Sequence, residues 1–418
     1  MIAFFSESEI VTGDRIINGS CCDVYDIIEF RQQRRVREIL GDEVGFVRDF
    51  LARNVRHSKT LNPRYVVKLA KIKCEGTSLS LKAKKSALQN ETTLLRSLNH
   101  PNIIKLKGLP IDYYLEEEKS SNLPFPRSTF SFLMMEKVHE MLQERIDFWK
   151  RTYRRVMKPV LGMLIDRRGV KHKHLLIEQL KAAVELASAL EYLHAHKYLH
   201  GVLVPSNIGF SNSGNLVLFG FDRSMPMNIT SIPCNLDVLR EDVENLRYSC
   251  PTVIKGGKYK ESSEIYSFAM MLYQILSLKE PFSSLSNEEY QDCIVLGGNH
   301  PQIPENLPLG IQTLIRNCWN ENESKRPSMM EIHKILQQEK RWATNGRIAE
   351  DLASSLISFQ TASSKILPSH ILRFQQLDLD INQAQSSLKN VFSNPSKRSG
   401  KAPSNACYVG KIYKTPAA

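Results

Sequence analysis

Apolar positions recur along the chain with two spacings, and the change from one to the other divides it. In the second half the spacing is helical: residues 175–194 put Leu176, Leu180, Ala183, Val184, Ala187 and Leu190 on one stripe, and the pattern returns at 262–278, 308–319 and 328–340. The first half reads differently. Short β-branched runs between Arg15 and Ile28 flank Asn18-Gly19-Ser20 and predict a hairpin, 64–72 (RYVVKLAKI) reads as a strand, and two more strands are expected at 103–107 and 130–136. Helical spacing there falls on 86–98 (SALQNETTLLRSL), and the basic segment 33–54 also admits a helix. These elements predict an α+β protein: a small antiparallel sheet with one helix packed on it, then a larger, mainly α-helical part.

Length and composition agree. At 418 residues the chain exceeds what one hydrophobic core comfortably serves, and 42% hydrophobic with 24% charged residues is a globular balance. The eight cysteines include no C-x-x-C pair, which argues against a disulfide framework or zinc cluster and for a reducing compartment, cytoplasmic or nuclear. The opening MIAFFSESEIV has two acids in its first nine residues instead of the basic start of a secretory signal. No apolar run approaches the roughly 18 residues of a membrane span. Two basic stretches stand out within the net charge of +12. Residues 150–174 hold nine Lys or Arg and read as an exposed insert, and 341–418 reads as a disordered tail whose six basic residues from Lys389 to Lys414 meet no acid. The stretches 150–174 and 389–414 are therefore candidate contacts for an acidic partner, a polyanion or an acidic membrane surface.

Residues 192–224, YLHAHKYLHGVLVPSNIGFSNSGNLVLFGFDRS, read as an apolar helix end, a loop closing on Asn207 and a strand running out through Phe219-Gly220-Phe221-Asp222. From Tyr192 to Phe221 there is no Asp or Glu.

A string of short motifs in fixed order makes 12–340 resemble the protein kinase family. Val66-Val67-Lys68 is similar to the strand whose lysine contacts nucleotide phosphates, and Glu91, nine residues before His100-Pro101-Asn102, to the glutamate that pairs with it. Met135-Glu136-Lys137-Val138 resembles the hinge between lobes, and Glu264-Ile265-Tyr266-Ser267-Phe268 the start of the large lobe's central helix. Cys318-Trp319 followed by Arg326-Pro327 resembles the closing signature of the tyrosine-kinase-like group. The resemblance implies a bilobal fold, with a small lobe over about 12–136 and a large lobe over about 137–340. It also implies an ATP cleft with Gly19, Lys68, Glu91, Glu136 and Val138 as contacts.

Transfer of a phosphoryl group rests on positioning and on charge around phosphates and magnesium, so residue losses there bear directly on activity. Where the family has H-R-D-L-K-P-x-N, this chain has His200-Gly201-Val202-Leu203-Val204-Pro205-Ser206-Asn207. The resemblance puts the catalytic base at Val202, the phosphate-contacting lysine at Val204 and an arginine at Gly201; valine neither accepts a proton nor hydrogen-bonds through its side chain. The magnesium-binding D-F-G falls on Gly220-Phe221-Asp222, and glycine offers no side-chain oxygen. Asn207 is left as a lone magnesium ligand. Asp222 is displaced by two residues, roughly 6.6 Å in an extended chain. Two stretches compete for the glycine-rich loop: 16–24, which keeps only Gly19, and 40–47, which is one residue short and acidic. Cys250-Pro251-Thr252 stands where the family has A-P-E, so Arg326 needs another carboxylate or an exposed seat. By contrast His200, Phe221 and Leu95 fall on positions of the family's apolar column between lobes.

Three readings remain open. The first is a pseudokinase, with absent or vestigial transfer, serving other signalling proteins as scaffold or allosteric module, with or without bound ATP. The second is an active serine/threonine or tyrosine-kinase-like enzyme with a non-standard metal site. The third is a polyanion-binding protein using the basic insert and tail.

Overall fold

The computed structural model describes residues 2–18, 22–57, 62–70, 81–119, 131–157, 170–227, 243–283, 285–286, 289 and 299–363. A six-stranded sheet of order β1-β5-β6-β4-β3-β2 forms the first lobe, from β1 (Ala3–Phe5), β2 (Ile10–Asn18), β3 (Cys22–Phe30), β4 (Tyr65–Ala70), β5 (Leu106–Pro110) and β6 (Phe132–Glu136). The predicted hairpin is β2 and β3, and the RYVVKLAKI strand is β4, lying between β3 and β6 with Lys68 opposite Val24 and Leu133. On the sheet packs α2 (Leu81–Ser97), whose apolar positions Leu88, Leu94 and Leu95 are buried as their spacing demands.

The α+β, two-lobed architecture expected from the sequence is the one observed, with additions at its start. β1 runs parallel to β5, Phe4 opposite Leu109, so the sheet begins well before residue 12 and is not wholly antiparallel. The lobe also carries α1 (Arg34–Arg53) and α3 (Ile111–Lys119), and so has more than one helix. Arg48 of α1 forms a buried ion pair with Glu9, and its guanidinium lies 5.2 Å from the centre of the Phe5 ring. The stretch 40–47 lies inside α1, with Gly41 at a kink, so its backbone is committed to helix, whereas 16–18 and 22–24 are the facing ends of β2 and β3 and 19–21 lie outside the described residues.

The second lobe contains α4 (Leu142–Val156), α5 (Val170–Ala195), α6 (Val243–Tyr248), α7 (Pro251–Ile254), α8 (Glu261–Ser277), α9 (Leu309–Cys318) and α10 (Met329–Ser363). Short strands β7 (Glu140–Met141), β9 (Ile208–Phe210) and β10 (Leu216–Leu218) form one sheet, and β8 (Tyr198–Leu199) pairs with β11 (Met225–Pro226). α8 is apolar around nearly its whole circumference and is buried from Ser263 to Leu276, as a central helix must be. The insert expected at 150–174 is helical at both ends: 150–156 belong to α4 and 170–174 to α5, while 158–169 lie outside the described residues. The reason is an apolar stripe that the basic residues obscure, with Leu142, Ile146 and Trp149 buried and the Trp149 indole donating to Glu178 at 3.1 Å.

The strand expected through 219–222 ends earlier. β10 stops at Leu218, Gly220 adopts φ 80°, and Phe221–Arg223 form one 3-10 turn. Helix α10 extends past the expected boundary at 341, whereas 389–414 lie outside the described residues. Contacts divide the chain into Met1–Arg347 and Ile348–Ala418; in the latter, 348–363 are helical. No helix among the described residues is long and apolar enough to cross a membrane.

Candidate functional site

A cavity of about 320 Å³ opens between the sheet and the second lobe. Lys68, Glu91, Glu136, Val138, Asn207 and Asp222 all line it, so residues spread over 155 positions of sequence meet there; Gly19 lies outside the described residues. β4 carries Lys68 and α2 carries Glu91, and their side chains form an ion pair with Nζ 2.6 Å from Oε2. The other oxygen, Oε1, accepts the Phe221 N–H at 3.3 Å, so one buried carboxylate ties β4 to the turn after β10. Burial opposes the charge on Lys68, but Glu91 and Asp222 outweigh it and hold its pKa above the ordinary lysine value. At the hinge, the Glu136 carboxylate turns away to Lys107 at 2.7 Å, and the Val138 N–H makes no hydrogen bond among the described residues.

Across the cleft the catalytic loop keeps its backbone form without its charges. His200 is buried, its Nε2–H donates to the Phe219 carbonyl at 2.9 Å, and its ring meets the Phe221 ring edge-on at 4.9 Å. Leu95 and Phe221 are both buried in the core that runs through the two lobes. Gly201 sits at φ 90°, where an added Cβ would collide with the Arg223 carbonyl, so no arginine fits that backbone. The Val204 side chain is buried, and Val202 packs half-buried against the same cluster. Asn207 is held by its own amide, which donates to the Val202 carbonyl at 3.0 Å, while its carbonyl accepts the Phe219 N–H at 3.0 Å.

Beneath the loop lies a buried charged group in which Glu264 stands at the motif position named from the sequence, while its partner His194 was not foreseen. Glu264, fully buried on α8, accepts the Gly201 N–H at 2.9 Å and the Tyr259 hydroxyl at 3.1 Å through Oε1. Its Oε2 meets His194 Nε2 at 2.7 Å, and His194 Nδ1 lies 3.5 Å from Glu261. Burial alone would discharge His194, but the neighbouring Glu261 and Glu264 carboxylates prevail and its pKa is pushed up to about 9. Burial likewise opposes the Glu264 charge, yet its bond to His194 holds that carboxyl below its usual range. The signal available was His194 at the end of an apolar helix, a position where a cation requires a partner.

Asp222 departs from its expected place. An extended chain would carry it out of reach, but a 3-10 turn advances only about 2.0 Å per residue, and the carboxylate returns to the cleft wall. The lost magnesium aspartate is another matter. A Cβ on Gly220 would collide with the Asn207 carboxamide, and the positive φ adds strain, so a side chain there would have to displace Asn207 and adopt an unfavourable backbone. The residues present do not reproduce the family's magnesium pair, and among the described residues no three His, Cys, Asp or Glu side chains converge on a common metal position.

Arg326 is half-buried and seated chiefly on carbonyls and a ring. Its guanidinium donates to the carbonyls of Ser262 at 2.7 Å and Asn320 at 3.0 Å, and lies 5.3 Å from the centre of the Tyr266 ring. The missing glutamate is answered from another element. Glu323 accepts the Thr252 hydroxyl at 2.5 Å and the Ser262 hydroxyl at 3.0 Å, and Arg326 is among the charges that favour its ionised form.

Comparison with known proteins agrees with this geometry. The chain is 25% identical over 255 residues to Serine/threonine-protein kinase 12 of Arabidopsis thaliana, which is 59% of this chain and 46% of the relative. It is 28% identical over 148 residues to Dual specificity protein kinase pyk3 of Dictyostelium discoideum, covering 35% and 10% of the two chains. It is 30% identical over 168 residues to the human Insulin receptor-related protein, covering 39% and 12%. The chain thus spans less than half the length of the curated relatives it matches. The sequence profile described as protein tyrosine and serine/threonine kinase matches residues 53–336, more than half of the chain, and with the paired lysine and glutamate, the hinge and the central helix in place, the chain belongs to that family.

Proposed function

We propose that this domain has given up phosphoryl transfer and works as a pseudokinase, a scaffold or allosteric module for other signalling proteins. The observation that carries the reading is Val202 at the base position, backed by Val204 and by Gly220, which has no side-chain oxygen to offer a metal. A general base contributes about 10²–10⁴ in rate and a metal clamp several kcal/mol more, and such groups act as a unit. Meanwhile Glu91 still bonds both Lys68 and, across the lobes, the Phe221 N–H, and Glu264 still braces the loop at Gly201, an order that a binding surface needs as much as an active site does.

The direct test is incubation of the purified chain with radiolabelled ATP, magnesium or manganese, and a generic protein substrate. The reading expects no label above a blank without the protein. Label accumulating at kinase turnover, roughly 1–100 s⁻¹, would sink it. One observation favours a second reading: Asp222 stands in the cleft beside Lys68, so an active enzyme with a non-standard metal site predicts transfer that Asp222→Asn abolishes. A third role, acidic partners or surfaces met by 150–174 and 389–414, predicts binding that weakens steeply with salt.

A further inference from the structure

Away from the cleft, the turn after α1 and the chain leaving the hinge meet through two histidines. His57 is held by a short antiparallel ladder: its N–H donates to the Asn62 carbonyl at 2.9 Å, and the Arg64 N–H donates to the Val55 carbonyl at 2.8 Å. The Arg64 carbonyl in turn accepts the Lys137 N–H at 2.8 Å, which brings this turn against the hinge. His139 follows two residues later and is tied to the second lobe, its N–H donating to the Phe210 carbonyl of β9 at 2.9 Å. Backbone bonds on both sides therefore set the two rings together. Their Nε2 atoms face each other at 3.2 Å, the ring centres are 5.0 Å apart, and both residues are half-buried. Neither is among the residues that line the cleft.

That spacing has a chemical meaning. Zinc bonds imidazole nitrogen at about 2.0–2.1 Å, and two such bonds at a tetrahedral angle put the nitrogens about 3.3 Å apart. Burial and the Arg64 charge lower the His57 pKa, and burial, His57 and Lys137 lower that of His139, so both rings are held in the neutral form that metals take. The Lys137 charge is itself engaged by Asp26 at 2.7 Å, which limits its repulsion of an incoming cation. Without metal, one ring donates its Nε2–H to the other. With metal, that ring carries its proton on Nδ1, so one hydrogen bond is exchanged for two bonds to the ion and no proton is released.

We propose that His57 and His139 form a two-histidine site for a divalent transition-metal ion, zinc by its geometry, that clamps the first lobe to the chain leaving the hinge. Imidazole suits zinc, copper and nickel, whereas magnesium demands oxygen ligands, so the site differs in place and in chemistry from anything the cleft could hold. Two side-chain ligands are fewer than a closed structural zinc site has. Water completes the shell, and the ion exchanges with the medium.

The test is calorimetric titration of the full chain, first stripped of metal with a chelator, with zinc chloride, and the same titration of His57→Gln and His139→Gln. Either substitution is expected to weaken one zinc-binding event by at least about tenfold, because a single imidazole is left where two acted together. Zinc should also raise the thermal unfolding midpoint of the intact chain and not that of either variant. Cobalt in place of zinc reads the ligands directly: the intact chain should show the visible absorption of a four-coordinate site, and both variants should lose it. Metal-free midpoints equal to that of the intact chain show that a variant has lost the ion and not its fold. Zinc binding unchanged in both variants would put the ion on other histidines or cysteines and overturns the inference. So does loss in one variant alone, since a bridging ion needs both rings, and so does the absence of zinc binding up to millimolar concentration.

Discussion

On one wall of the cleft Lys68 and Glu91 still form the ion pair that their positions on β4 and α2 allow, and Glu91 still reaches the turn after β10. On the other wall the loop from His200 to Asn207 follows a kinase-like path, yet Val202 and Val204 stand where the resemblance implies a base and a lysine. The difference separates two duties that share one architecture. Groups that brace backbone or join lobes persist: Glu264 on Gly201, His200 on Phe219, Asn207 on Val202. Groups whose work would be done on substrate or metal are gone, and their replacements are apolar or lack side chains. Shape and reaction draw on different atoms, so the proposed loss of transfer is compatible with an intact fold.

The comparison is broken most forcefully at the brace. Glu264→Ala strands the His194 charge and leaves the Gly201 N–H without its acceptor, and should cost about 3–5 kcal/mol by chemical denaturation. A loss below about 1 kcal/mol would mean the loop is held by packing alone. The same group sets a pH dependence. The His194 pKa rises from 6.5 to about 9 on folding, so its contribution is complete below pH 6.5 and disappears as pH rises through about 9. Stability should fall by about 3 kcal/mol across that window, and replacing His194 with glutamine should flatten the curve. Glu264 acts at the other end: its lowered pKa gives stability present above 4.5 and lost as pH falls beneath it.

Smaller effects sharpen the contrast. Lys68→Ala leaves Glu91 buried without its cation and should cost about 2 kcal/mol, less than a fully enclosed pair because Lys68 is 16% exposed. Gly220→Ala meets both a positive φ and Asn207 Oδ1, and should cost about 1–2 kcal/mol in the same denaturation assay. Tolerance of alanine there would show that glycine was not required and that a carboxylate had room.

Long periodic segments were readable in advance because their signal is local: of the stripe from Leu176 to Leu190, Leu180, Ala183, Ala187 and Leu190 lie in the buried face of α5, with Leu176 and Val184 half-buried against the same core. The Lys68–Glu91 pairing was readable through ordered motifs, and both its elements form close to the expected bounds. What escaped the sequence is non-local. Ala3-Phe4-Phe5 is too short to announce a strand, and its partner β5 is about a hundred residues away. Arg326 and Glu323 are near neighbours in sequence, but the Ser262 that both of them meet sits on α8, roughly sixty residues earlier, so no spacing rule names that contact. Asp222 was misplaced because extended geometry was assumed where Gly220 starts a 3-10 turn, and that choice decides whether its carboxylate meets the cleft. The basic run at 150–156 hid an amphipathic helix because long cationic side chains share its turns with Trp149.

The central claim, that the charges needed to move a phosphoryl group are missing while the fold survives, meets its most direct test in one difference. The initial rate of label transfer from ATP to a generic substrate is measured for the chain and for Lys68→Ala under identical conditions. Equal rates at the level of the blank are the predicted result. A rate for the intact chain that stands well above blank and vanishes in Lys68→Ala would contradict the account.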